Sequence, residues 1–79
     1  MNITYVITEE IYSFGNMTRV SYGVVAYADS DEDGTAAIVV SVHDITSDRQ
    51  ALDETVSRCN YKKLSTIHLN DVIEDFLAS

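Results

Sequence analysis

The sequence predicts an α+β domain in which a three-stranded antiparallel β-meander is followed by two α-helices packed on one face of the sheet (βββαα). Three observations predict this fold class. Apolar residues recur with the period of a strand up to about residue 45 and with the period of a helix after it. Gly15-Asn16 suits a tight hairpin turn, and Ser47 begins a helix-capping pattern. The 79 residues form one small domain, which we place over residues 1–79.

The first hairpin has a register that its turn fixes. Residues 2–12 alternate as a strand does, and Met17 begins a second run that is rich in Val and Tyr. Because Gly15 and Asn16 both tolerate positive φ, they favour a two-residue loop in which Phe14 faces Met17. Continuing this register pairs apolar residues with one another: Ile11 with Val20, Ile7 with Val24, Tyr5 with Ala26 and Ile3 with Ala28.

The second hairpin is aligned by its apolar face alone. It joins the second run to a third apolar run over residues 35–45. The alignment that keeps apolar residues together pairs Ala28 with Ala36, Ala26 with Ile38, Val24 with Val40 and Tyr22 with Val42. A slip by one residue would turn these side chains to the other face of the sheet.

Two helices follow the strands. Ser47-Asp48-Arg49-Gln50 is a capping box with Ser47 as the predicted cap, and Asn60 is the predicted stop of this helix. An apolar stripe after Ser65 predicts a second helix over residues 66–77. The predicted core takes apolar residues from every element: Ile3, Tyr5, Ile7, Val20, Val24, Ile38, Val40, Val42, Leu52, Val56, Leu69, Val72, Ile73 and Phe76.

The C-terminal half carries a resemblance to a known family. The residues concerned are His43-Asp44-Ile45-Thr46-Ser47-Asp48, Cys59-Asn60, Leu64-Ser65 and the run from His68 to Leu77. Together they resemble a family of short uncharacterised proteins from clostridia and related Gram-positive bacteria. The resemblance covers the strands before them only in pattern. It implies a bacterial, cytoplasmic protein and assigns no activity.

Composition excludes several kinds of partner. The formal net charge of −8 argues against nucleic acid and against an anionic membrane surface, and it favours cationic partners or metal ions. No apolar run approaches the roughly 20 residues that span a bilayer. Cys59 is the single cysteine, and no signal peptide follows Met1. We therefore expect a full-length cytoplasmic protein without a cofactor.

One loop resembles a metal site. Asp29, Asp31 and Asp33, followed by Gly34, match the start of a calcium-binding loop. Val40 stands where such a loop needs a bidentate Glu, and the flanking runs are strands rather than helices. The alternative is a solvated hairpin tip in which the glycine supplies positive φ. The sequence favours the hairpin tip and leaves calcium binding as a second possibility.

The residues with catalytic potential are few. His43, Asp44, Cys59 and His68 are the candidates for a nucleophile or a base, and no spacing indicates that they meet. A lone cysteine on an apolar helix stripe is usually a small buried hydrophobe. We therefore expect a protein that is not an enzyme and assign no catalytic residue.

Two surfaces are candidates for an interaction. The sheet face away from the helices carries an unusually apolar set, which is the predicted interface: Val6, Tyr12, Val25, Tyr27 and Val39. The outer face of the last helix carries Asp71, Glu74 and Asp75, which form either a solvated face or a docking surface for a basic partner.

These features predict a small protein-interaction module of otherwise unknown function. Its partner is an unidentified protein or a second copy of the chain, in a possible homodimer formed through the open sheet face or an edge strand. Two alternatives remain: a calcium-binding protein that uses the loop 29–34, and an acidic decoy protein that occupies the nucleic-acid-binding surface of a basic partner.

Overall fold

Three strands and two helices make up the fold of this computed structural model, which describes residues 2–29 and 36–78. The strands are β1 (Asn2–Phe14), β2 (Met17–Asp29) and β3 (Ala36–Thr46), and they form an antiparallel sheet in the order β1-β2-β3. The helices are α1 (Arg49–Tyr61) and, after a 3₁₀ turn at Thr66–His68, α2 (Leu69–Ala78). The predicted βββαα arrangement is confirmed.

The register of the first hairpin is the predicted one. Phe14 pairs with Met17 across the turn, and Ile7 pairs with Val24. Gly15 has a φ of 61°, a conformation that costs glycine little because it has no Cβ. The two-residue turn therefore sets every pair along both strands.

The predicted register of the second hairpin is wrong by two residues in its middle, by one at Ala28, which pairs with Ala37, and by four at Tyr22, which pairs with Thr46. Val24 pairs with Val42 rather than Val40, and Ala26 pairs with Val40 rather than Ile38. In the middle of the hairpin the shift is even, so it keeps Val40 and Val42 on the side of the helices. The physical reason is that this hairpin lacks a two-residue turn, so its apolar pattern fits two alignments equally well.

Two irregularities interrupt β3. The first lies at Val39, which has no partner on β2, so that Ile38 pairs with Tyr27. This bulge turns Ile38 away from the core in which it was predicted to lie, and Ile38 is 61% exposed. The second lies between Val42 and Thr46, where β3 has extra residues relative to β2.

The ends of α1 show how it joins the sheet to α2. Its cap is Asp48, one residue beyond the predicted Ser47, and the Asp48 side chain accepts a hydrogen bond from the Ala51 amide at 3.1 Å. Helix α1 continues through Asn60, its predicted stop. Beyond α1, Lys63 has a φ of 53°, and the Leu64 amide donates to the Cys59 carbonyl at 3.0 Å. This is a Schellman turn with lysine where glycine is usual.

The core lies between the sheet and the helices. It joins one face of the strands to the apolar stripes of α1 and α2: Tyr5, Val24, Ala26, Ile45, Leu52, Val56, Cys59, Leu69 and Ile73. Val20 was predicted to belong to it and is exposed instead. The reason is that β3 pairs only with the part of β2 from Tyr22 onward, so the turn end of the first hairpin projects beyond the third strand.

Candidate functional site

The open face of the sheet divides into two halves of different chemistry. One half is an apolar patch, hereafter the apolar half, made of Val6, Val25, Tyr27, Ile38 and Val39. The other half is a network of polar side chains, hereafter the polar cluster, made of Glu10, Tyr12, Arg19, Ser21, His43 and Asp44. The strand pairing brings residues from all three strands into each half.

Glu10 is the centre of the polar cluster. Its carboxylate accepts hydrogen bonds from the backbone amide of Asp44 at 3.0 Å and from the hydroxyl of Tyr12 at 2.9 Å, and it lies 2.9 Å from Nδ1 of His43. The Asp44 amide, together with Tyr12 and His43, lowers the pKa of the Glu10 carboxyl. Glu10 therefore ties β1 to β3 across the strand between them.

Gly23 makes this crossing possible. It lies on β2 between the two strands that Glu10 connects. A Cβ at this position would lie 2.7 Å from Oε1 of Glu10 and 3.1 Å from Oγ1 of Thr8, and it would collide with the carbonyl oxygen of Val42. A glycine within a strand often marks such a close approach.

Asp44 holds the second irregularity of β3 in place. Its φ of 55° is unusual for a residue with a side chain. Its carboxylate receives two hydrogen bonds from Arg19, at 2.9 and 3.0 Å, and one from Ser21 at 2.6 Å. The Arg19 guanidinium, and secondly the Ser21 hydroxyl, lower the pKa of the Asp44 carboxyl. Arg19 also stacks over the ring of Tyr12 at 5.0 Å.

The polar cluster lacks the arrangement of a nucleophile and its base. The Ser21 hydroxyl is buried and donates to Asp44, and His43 pairs with Glu10 instead of with the serine. A serine nucleophile that is activated by a histidine base needs the hydroxyl and the imidazole in contact. The carboxylates are already occupied by donors from the protein itself. The cluster therefore clamps the three strands together.

The apolar half has the opposite character. Val6, Ile38 and Val39 are 43%, 61% and 49% exposed, and no helix covers them. Val25, at their centre, is buried although it lies outside the main core. The flanking strands shield it, since Val25 pairs with Val6 on one side and with Ser41 on the other.

The structure brings together four of the five residues of the predicted interface. Tyr12 lies apart from them, in the polar cluster. Ile38 joins the apolar half and was missed, because its face depends on a bulge that has no signature in the sequence. The sequence did indicate that a side chain crosses β2, as Glu10 does. The indication is Gly23, a glycine within a strand of larger residues.

The two edges of the sheet also differ. On β1, the Tyr5 amide donates to Oδ1 of Asn60 at 2.7 Å, and Nδ2 of Asn60 donates to the Tyr5 carbonyl at 2.9 Å. The Asn60 side chain on α1 thus forms the two hydrogen bonds that a neighbouring strand would form with Tyr5. No such cap closes the edge of β3 within residues 2–29 and 36–78. An uncapped apolar edge strand is prone to pair with another chain.

The other predicted site residues lie elsewhere. Asp29 ends β2, whereas Asp31 and Asp33 lie outside the described residues. In the described part of the chain, no group of three His, Cys, Asp or Glu residues could hold a metal ion. On α2, Asp71, Glu74 and Asp75 are all exposed.

Cys59 and His43 lie on opposite sides of the sheet. Cys59 is buried among the core residues of α1, whereas His43 belongs to the open face. His68 lies in the 3₁₀ turn and is exposed. Burial raises the pKa of the Cys59 thiol, which is the opposite of what an activated nucleophile requires.

Fold and site together define a small α+β domain with one clamped and one uncovered half on its open sheet face. The chain belongs to a family of unknown function (DUF6514), whose model matches residues 1–79. No curated protein and no solved structure matches the chain significantly. Among the described residues, no helix has both the length and the apolar character to cross a membrane.

Proposed function

We propose that this protein is a small non-enzymatic interaction module that self-associates through the apolar half of its open sheet face. The observation that carries the proposal is the exposure of Val6, Ile38 and Val39 around the buried Val25. A contiguous apolar surface of this kind on a small domain is typical of an interface. The partner we propose is a second copy of the chain.

Charge favours this surface over the others for self-association. Two copies of a chain with a net charge of −8 repel each other. None of the five residues of the apolar half carries a charge at neutral pH. Asp29 lies at its border, where it pairs with Ala36 at the end of β2. Contact between these five side chains therefore brings no like charges directly together.

The edge of β3 supports the same arrangement. Ile38 and Val39 lie on this strand, which has no neighbour beyond β2. Asn60 caps the edge of β1 at Tyr5, whereas no side chain among the described residues caps the edge of β3, so a second copy would add to β3. The bulge at Val39 interrupts a continuous ladder, so side-chain contacts of the apolar half would contribute more than new strand pairing.

Sedimentation equilibrium of the full chain over a series of concentrations tests the proposal. We expect a reversible dimer that is weakened at least about tenfold by Ile38→Lys or Val39→Lys. Either change reduces the net charge from −8 to −7, so a loss of association cannot result from a larger overall charge on each copy. Thr18→Lys is the matched control, because it adds the same charge at an exposed position outside the apolar half.

Two results would contradict self-association. One is a strict monomer up to high micromolar concentration. The other is a dimer that Ile38→Lys and Thr18→Lys leave equally intact. Chemical-shift dispersion of each variant checks that its fold is retained, so that a loss of association can be assigned to the surface.

A second candidate function rests on the acidic face of α2. Asp71, Glu74 and Asp75 are exposed and lie on one helix, which suits a decoy for a basic partner. Such binding would weaken steeply with salt, and capture of a partner that is insensitive to salt would exclude it. A cytoplasmic, bacterial setting accords with either function.

A further inference from the structure

A groove of about 460 Å³ separates α1 from α2 on the side of the protein opposite the open sheet face. Its apolar lining includes Leu64, Val72 and Phe76, and its charged residues are Arg58, Lys62 and Asp75. The volume falls in the range of sites that hold small molecules. The groove is independent of the apolar half and of the function proposed for it.

The charges of the groove are unusual for this chain. The protein has five Lys and Arg against thirteen Asp and Glu, yet two of the five line one wall of this groove. Arg58 and Lys62 are four residues apart on α1 and its cap, so they lie on the same side of the helix. Within the described part of the chain neither forms an ion pair, and Arg58 has only a 3.5 Å hydrogen bond to Oγ1 of Thr55.

A structural role for these cations is the simpler alternative. The C-terminus of a helix carries a partial negative charge, which Arg58 and Lys62 would offset. Lys63 lies at the same end of α1 but does not line this groove. Lys63 therefore separates the two explanations, because it shares the helix end but lines a different pocket, together with Asp29 and Asn60.

We propose that the groove binds a small amphiphilic anion, with its apolar body on Leu64 and Val72 and its anionic end at Arg58 and Lys62. The apolar lining provides the burial, and the two cations select a carboxylate or sulfonate over a neutral head. Asp75 on the α2 wall repels an anion, which restricts the charged end to the α1 wall.

Titration of the full chain with decanoate, followed by amide chemical shifts, tests the site. We expect saturable shifts at the end of α1 and along α2, and much weaker binding of decanol, which lacks the charge. Arg58→Gln combined with Lys62→Gln should weaken decanoate binding roughly tenfold. Asp75→Asn should strengthen it about twofold, and Lys63→Gln should change it by less.

The pattern across the variants decides the question. Binding that Lys63→Gln weakens as much as the double variant would show a general attraction to the helix end and would overturn the proposal. Equal binding of decanol would do the same, as would an absence of saturable shifts. Each variant is first checked for wild-type shift dispersion. Sedimentation remains a separate test, because the groove lies away from the apolar half.

Discussion

The polar cluster and the apolar half occupy one face of the sheet. They differ in whether their side chains already have partners within the chain. In the polar cluster, Glu10 and Asp44 accept hydrogen bonds from groups of the protein itself. In the apolar half, the side chains of Ile38 and Val39 remain exposed. Side chains that already have hydrogen-bond partners add little free energy when another protein binds to them. Exposed apolar surface, in contrast, stabilises a complex when a partner covers it.

The comparison assigns different roles to the two halves. The polar cluster holds β3 in its irregular path, which includes the positive φ of Asp44. The same strand, further toward its start, carries Ile38 and Val39 in the apolar half. The clamp therefore positions the surface that we propose to be functional, so changes in the polar cluster should affect stability first and association second.

We expect the largest effect on stability at Gly23, where the polar cluster leaves no space for a side chain. Gly23→Ala places a methyl group against the Val42 carbonyl and the Glu10 carboxylate, and we expect it to destabilise the fold by about 3 kcal/mol. This is a large share of the roughly 5 kcal/mol of a small domain. Urea unfolding measures the change. Ser41→Ala, on the same face and exposed, is the control and should shift stability by less than about 0.5 kcal/mol.

A smaller effect is expected at the capped edge. Asn60→Ala removes both hydrogen bonds to the Tyr5 backbone and should cost about 2 kcal/mol in urea unfolding. It also frees the edge of β1, so association should become stronger or less specific in sedimentation experiments. Asn70→Ala makes the same change at an exposed position of α2. Equal stability of the two variants would contradict the role of Asn60 as a cap.

Acid should weaken the clamp. The pKa values of the Glu10 and Asp44 carboxyls are lowered from ordinary values of 4.5 and 3.8. A lowered pKa in the folded state gives stability that is present above the ordinary value and is lost as pH falls through the folded value. We therefore expect the melting temperature of the wild type to fall below about pH 5.

Asp44→Asn isolates this contribution from the other acids. Protonation of the remaining carboxylates also relieves repulsion in this acidic chain, and that effect is common to wild type and variant. The difference in melting temperature between them should therefore be largest near neutral pH and shrink toward pH 3. A difference that stays constant with pH would mean that the Asp44 charge does not support the fold.

The smallest effect concerns Thr8, which borders the polar cluster. Its Oγ1 is the buried side-chain oxygen that has no hydrogen-bond partner among the described residues. Replacing the hydroxyl with a methyl group in Thr8→Val should stabilise the fold by about 1 kcal/mol. Thr4→Val, on the same strand but exposed, should leave stability nearly unchanged. A loss of stability in Thr8→Val would indicate that the hydroxyl has a partner after all.

Local signals predicted most of the fold. The turn at Gly15-Asn16 determined the first hairpin, because a two-residue loop admits one register. The change of apolar period located both helices to within a few residues. The cap at Asp48 rather than Ser47 was missed because both residue types serve equally well as caps.

The sites depend on features that the sequence expresses weakly. Ile38 and the polar cluster both depend on irregularities of β3, which are set by contacts between strands and not by local pattern. Val6, Val25, Tyr27 and Val39 were placed on the open face because alternation alone fixes the face of a regular strand. Tyr12 was grouped with them because alternation gives the face and not the position along it.

Amide chemical shifts followed on dilution test the central claim most directly, since they show which residues meet a second copy. We predict that the concentration-dependent shifts cluster on Val6, Tyr27, Ile38 and Val39. The signals of Glu10, Ser21 and Asp44 should stay nearly constant, because the polar cluster is already satisfied within one chain. Shifts confined to α2 or to the polar cluster, or spectra that do not change with concentration, would contradict the account.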